Sequence, residues 1–324
     1  MSRTEVGSNY EVYKVNTASL NTNRLWAYLQ LMRPANIVTS WADVLAGFAA
    51  SGALFLIPLG IEGQALLASL TLLIWLLVAT TGLYGGGVVF NDVFDAKLDA
   101  RERTERPIPS GRASREGAAL LASLLLVVGV AAATQVSWLS ATLAASISAA
   151  ALLYDAVSKH DPLLGPLNMG LCRGFNLLLG ISVVPGMVGK LWFLALISII
   201  YIAAVTTLSR GEVYGAKVLT RIVSLLLVGV VIAGLLGLGL LEDYQFLAAL
   251  PLMVLFVVQV WQPMKKATCD PSPEQVRIAV KTGVLSLIIL DATITAGFAS
   301  FPYGLLVLCL LPISMLLAQM FAVT

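Results

Sequence analysis

Ten apolar stretches recur along this chain, near residues 35–58, 65–90, 116–133, 138–154, 163–185, 190–208, 218–241, 245–262, 278–298 and 302–322. Most approach the length of about 20 apolar residues that a helix needs to cross a bilayer. The composition agrees: 58% of the 324 residues are hydrophobic and 12% charged, against roughly 25% charged in soluble domains. Mean hydropathy is +0.89. The expected fold is therefore all-α and polytopic, with nine transmembrane helices, or ten if the last stretch also spans. Residues 1–16 are expected to be disordered or loosely held, and 17–324 to form a single transmembrane domain. The run from Thr17 through Leu20, Arg24, Trp26, Tyr28, Leu31 and Met32 predicts a short interfacial helix before the first span. The first thirty residues are polar and lack the apolar core of a removed signal peptide.

Basic residues set the expected orientation, because loops rich in Lys and Arg stay cytoplasmic. Arg3, Lys14, Arg24 and Arg33 precede the first span, and six more basic residues lie between Lys97 and Arg115. Lys159, then Arg210, Lys217 and Arg221, then Lys265, Lys266, Arg277 and Lys281 mark further loops on that same side. The connections around Glu62, Ser137, Lys190 and Glu242 carry a single Lys. The N-terminus and the aspartate-rich loops are expected to be cytoplasmic, in a bacterial cytoplasmic membrane. Topology accounts for the basic loops, so no nucleic-acid partner is implied.

The densest run of charge follows the second stretch, from Asn91 to Arg112. Within it Asp92, Asp95 and Asp99 recur at spacings of three and four, so on a continuous helix they share one face. Three like charges near a helix C-terminus oppose the macrodipole. A divalent cation relieves that repulsion; Mg2+ takes one or two carboxylates and completes its shell with water and phosphate oxygens. The plain alternative is a solvated loop in which Asp99 and Arg103 pair four residues apart for a few tenths of a kcal/mol.

The sequence Asn91-Asp92-x-x-Asp95-x-x-x-Asp99, followed by Arg106-Pro107-x-Pro109-Ser110-Gly111, resembles the first aspartate-rich motif of the UbiA superfamily of intramembrane prenyltransferases. Within that superfamily it is most similar to the UbiA-like EboC group. The resemblance implies a UbiA-like helical bundle. Its implied reaction is Mg2+-dependent transfer of a prenyl group from a prenyl diphosphate to a small lipophilic acceptor, aromatic or cyclic, within the membrane lipid. Asp92, Asp95 and Asp99 are then the metal ligands and catalytic residues. Asn36 of Arg33-Pro34-Ala35-Asn36 is implied to face the cavity, with Asn91 and Arg106 beside the diphosphate. Tyr154 and Lys159, in the loop after the fourth stretch, complete that reading.

One departure stands out. Where the family carries a second aspartate-rich motif, this chain has Ser209-Arg210-Gly211-Glu212, with Glu212 as the one carboxylate and Arg210 as a cation able to grip phosphate. A non-catalytic relative binding isoprenoid or quinone-like lipids is thus the alternative reading, and a transporter a further one, since Asp43, Arg173 and Asp291 fall inside apolar stretches. Arg173 has two candidate partners, Asp43 and Asp291. The triple glycine Gly85-Gly86-Gly87 suits close helix packing. Asp155 and Asp161 lie six apart, a spacing specific to no known site. With one histidine, His160, and three dispersed cysteines, neither zinc sites nor His-dependent triads have material to work with.

Overall fold

The computed structural model describes residues 24–54, 64–212 and 215–321. The expected loose segment 1–16 and the start of the interfacial helix lie outside the described residues. Described helices are α1 (Arg24–Met32), α2 (Pro34–Ala50), α3 (Gln64–Glu102), α4 (Arg115–Thr134), α5 (Trp138–Ala156), α6 (Leu164–Ile181) and α7 (Pro185–Leu191). They continue with α8 (Leu194–Ser209), α9 (Val218–Leu238), α10 (Phe246–Cys269), α11 (Pro273–Phe298), α12 (Phe301–Leu308) and α13 (Leu310–Phe321). No strand occurs among the described residues.

Helix covers most of the described part of each expected apolar stretch, and the expected count of nine or ten spans is not reached among the described residues. Among the described residues seven helices are long and apolar enough to cross a membrane, and eight if α7 and α8, bent by 63°, form one span. Outside that set lie α2, with 17 residues, and α6, which buries Asn168, Arg173 and Asn176. Both carry polar groups inward, as α11 does with Asp291.

Close helix approach depends on glycine. A Cβ at Gly47 of α2 would lie 2.1 Å from the Leu177 carbonyl oxygen, and one at Gly180 of α6 would lie 2.3 Å from that of Val44. Only backbone fits there, so α2 and α6 cross in contact. The glycines of α3 act likewise: a Cβ at Gly86 would meet Leu126 of α4 at 2.8 Å. Elsewhere α11 forms the centre of the bundle, with 67% of its apolar window buried against 22–33% for the other candidate spans. The buried Tyr201 of α8 ties to it, donating its hydroxyl to the Gly283 carbonyl at 2.7 Å and packing edge-on to Phe256 of α10.

A helix precedes the first span as expected, α1. Its Trp26 stacks on Phe321 with ring centroids 4.3 Å apart, joining the two ends of the described chain.

Candidate functional site

With 39 residues at about 1.5 Å each, α3 is about 58 Å long and outruns a hydrocarbon core of about 30 Å. Its final turns carry the aspartate face beyond the apolar stretch. There the three carboxylates do not stand unpaired. Arg33 Nη2 lies 2.7 Å from Asp92 Oδ1. Arg106 Nη1 lies 2.7 Å from Asp99 Oδ2 and 3.3 Å from Asp92 Oδ1. Lys159 Nζ pairs with Asp95. The cations come from three other elements: the α1–α2 junction, the loop after α3, and a single 3-10 turn, Ser158–His160. Asp92 and Asp99 are buried; Asp92 has two cations and Asp99 one, so removing Arg106 leaves Asp99 an uncompensated charge, at a cost of about 3–5 kcal/mol.

The Arg33 backbone is at φ 49°, ψ 67°, and it is the one non-glycine with positive φ among the described residues. That region costs a bulky side chain about 1–3 kcal/mol. Pro34, fixed in φ, then occupies the first turn of α2. The strained junction turns the chain from α1 into α2 and delivers the guanidinium to α3.

A cavity of about 230 Å³ adjoins the cluster, and Arg33 belongs to both. Leu83, Val88, Ile147, Ala151 and Met169 supply apolar walls; Thr80, Tyr84, Tyr154, Asp155, Cys172, Arg173 and Asn176 supply polar ones. Asn91 donates its side-chain N–H to Asp155 Oδ1 at 2.8 Å.

Beyond the cavity wall lies a buried network. Arg173 donates to Asp43 Oδ2 at 2.9 Å and to Thr39 Oγ1 at 2.7 Å, and stands 4.8 Å from the centre of the Tyr84 ring. Asn176 donates to Asp43 Oδ2 at 2.9 Å and to the Ser40 carbonyl at 2.8 Å, and accepts from Thr80 at 2.7 Å. Packing therefore selects Asp43 as the partner of Arg173. Asp291 is fully buried next to Asp43 and near Arg173, and neither of its carboxylate oxygens meets a geometric hydrogen-bond partner among the described residues.

Of the residues singled out in the sequence, Asp92, Asp95, Asp99, Arg106 and Lys159 assemble into one cluster, and Asn91 and Tyr154 line the cavity. The others lie apart. Asn36 does not line this cavity. Arg210 donates to the carbonyls of Lys159 at 3.1 Å and Asp161 at 2.5 Å, so it fastens the turn that carries Lys159. Glu212 accepts through its backbone carbonyl from Arg277 at 3.2 Å, and burial pushes its carboxyl above the ordinary range, with Arg103 and Arg277 opposing. Asp161 separates from Asp155. Its Oδ1 accepts from the backbone N–H groups of Leu163 and Leu164 at 2.8 Å each, which holds its carboxyl below the ordinary range. Arg33 and Asp155 escaped a site assignment: one read as an ordinary loop charge, the other belonged to no specific spacing. The available signal for Arg33 was the Arg-Pro junction beside a predicted span.

An acidic helix face neutralised by cations from three other elements, beside a cavity in a bundle of apolar helices, defines a multi-pass integral membrane protein with a charged site at the end of a spanning helix. The chain belongs to the UbiA prenyltransferase family, whose model matches residues 53–280. The digeranylgeranylglyceryl phosphate synthase of Methanothrix thermoacetophila is 30% identical over 239 residues, 67% of this chain and 82% of that protein. The protein of the same name from Methanosarcina mazei is 35% identical over 167 residues, 48% of this chain and 54% of its own length. A solved structure of a digeranylgeranylglyceryl phosphate synthase superposes with a TM-score of 0.61 at 19% identity, over 85% of this chain and 98% of that one, a likeness of fold. These matches bear out the superfamily and do not single out the EboC group.

Proposed function

We propose that this chain is an intramembrane prenyltransferase, moving a prenyl group from its diphosphate to a lipophilic acceptor, with the aspartate face on the cytoplasmic side and residues 17–324 as one domain. The observation that carries this reading is the cluster itself: Asp92, Asp95 and Asp99 each paired with a cation from another element, beside a largely apolar cavity.

The donor set suits Mg2+. Its oxygens are hard carboxylates, although among the described residues no three His, Cys, Asp or Glu side chains gather closely enough to hold an ion together, so Asp92, Asp95 and Asp99 do not form the joint ligand set expected of them. An ion there would be taken through one or two carboxylates, with phosphate and water completing the octahedron. One or two of Asp92, Asp95 and Asp99 would hold the ion, which would supply charge neutralisation to the departing diphosphate.

The chain's own residues do the rest. Arg33, Arg106 and Lys159 exchange carboxylate partners for phosphate oxygens, so the developing negative charge meets preorganised cations. Arg210 keeps the Lys159 turn in place. The apolar walls exclude water that would otherwise capture the allylic cation as the alcohol. The relatives' name describes a glyceryl phosphate carrying two geranylgeranyl chains, which supports a long prenyl donor and an acceptor that is itself a lipid; the aromatic or cyclic acceptor remains the second candidate class.

The test is binding of a non-hydrolysable geranylgeranyl diphosphate analogue to detergent-purified protein, with and without Mg2+. Binding that requires Mg2+ and disappears in a folded Asp95→Ala variant is the expected result. Unchanged binding in that variant, or none in the wild type, defeats the proposal.

A further inference from the structure

The motif aspartates all contact a cation, whereas a fourth carboxylate beside them does not. Asp155, at the end of α5, is 4% exposed and lines the cavity. Asn91 holds its Oδ1, and no ion pair or further side-chain hydrogen bond reaches it among the described residues. Around it stand Asn91 and Asp95 of α3, Lys159 of the 3-10 turn, Arg33 at the α2 junction, Tyr154 on its own helix and Cys172 of α6. Lys159 is engaged by Asp95, and Arg33 by Asp92. Asp155 is thus a buried carboxylate held in orientation by one amide, with its Oδ2 free, in the same cavity as the apolar walls.

We propose that Asp155 is the base that takes the acceptor's proton. This rests on the prenyltransferase reading and adds a residue to it. Prenyl transfer replaces an acceptor proton with carbon, so that proton must leave inside a cavity that excludes water. In the balanced step the C1–O bond to diphosphate breaks and its electron pair departs with the diphosphate. The acceptor's hydroxyl oxygen or ring carbon bonds to C1, and the proton it sheds goes to Asp155 Oδ2. After the products leave, the proton passes to water. Asn91 fixes the carboxylate by donating to Oδ1 and is a positioning residue, which links the acceptor side of the reaction to the diphosphate side along a single helix.

Full-length protein in detergent is assayed with geranylgeranyl diphosphate and Mg2+, using geranylgeranylglyceryl phosphate and 4-hydroxybenzoate as acceptor probes. Asp155→Asn is expected to keep Mg2+-dependent binding of the donor analogue within threefold of wild type while transfer falls by about 10²–10⁴-fold. The partition of turned-over donor should shift from prenylated acceptor toward prenyl alcohol, and the rising limb of the wild-type pH–rate profile should vanish. A merely structural role moves neither of the last two. Asp155→Glu should restore part of the transfer, and it serves as the test if the Asn variant fails to fold. Transfer at the wild-type rate in Asp155→Asn overturns the assignment, as does loss of Mg2+-dependent donor binding, which makes Asp155 part of the donor site instead. A wild-type protein that binds donor but transfers to neither probe defeats the base assignment and the transferase reading together; one that binds no donor defeats the donor site first.

Discussion

Arg33 reaches Asp92 across 59 positions of sequence, its Nη2 2.7 Å from Oδ1, from a backbone held in the left-handed region at φ 49°. The strained turn and the ion pair are coupled, because relaxing the first withdraws the second.

Arg33→Gly separates the two contributions. Glycine adopts positive φ without penalty, so the variant recovers strain while losing the cation. Thermal unfolding should show it at least as stable as Arg33→Ala, and both variants should bind the diphosphate analogue tenfold or more weakly than wild type, about the loss of one charge-assisted hydrogen bond. Equal binding in wild type and Arg33→Gly would remove Arg33 from the donor site.

Arg210→Ala should act at a distance. The guanidinium holds the carbonyls of Lys159 and Asp161, so its loss frees the turn rather than removing a phosphate contact. Hydrogen exchange over 158–163 should accelerate and donor affinity should drop severalfold. An affinity loss with unchanged exchange would instead indicate direct phosphate contact.

Asp43 and Asp291 should respond in opposite ways. Asp43→Ala leaves the buried Arg173 without its ion pair and should destabilise by about 3–5 kcal/mol. Asp291→Asn removes a buried carboxylate that meets no geometric hydrogen-bond partner among the described residues, so it should be neutral or stabilising in a thermal melt. A large loss on Asp291→Asn would reveal a partner for that carboxylate.

Glu212 carries a pH signature. Burial raises its carboxyl above the usual 4.5, so the folded state binds the proton more tightly than the unfolded chain. Its contribution is present below the unfolded value and is lost as pH rises through the folded one. Glu212→Gln should flatten the stability–pH curve in the range just above 4.5, measured by denaturation at fixed temperature.

The sequence by itself determined the helices and the acidic face. Long apolar runs have one outcome in hydrocarbon, and Asp92, Asp95 and Asp99 share a face through nothing more than helical period, so both are local properties. It also pointed to Arg106 and Lys159 through a resemblance that the family match bears out. Tertiary structure decided everything that joins distant segments. The choice of Asp43 over Asp291 for Arg173 spans 130 positions; it follows from the backbone contact of α2 with α6 at Gly47 and Gly180, which no periodicity encodes. Arg210 also gained a contact the sequence did not suggest, because the end of α8 lies against the Lys159 turn and its guanidinium holds the carbonyls of Lys159 and Asp161. Asp155 became prominent only once Asn91, 64 positions away, was packed against it. A side chain's chemistry is fixed by its type, but its partner is fixed by which helices the chain can bring into contact.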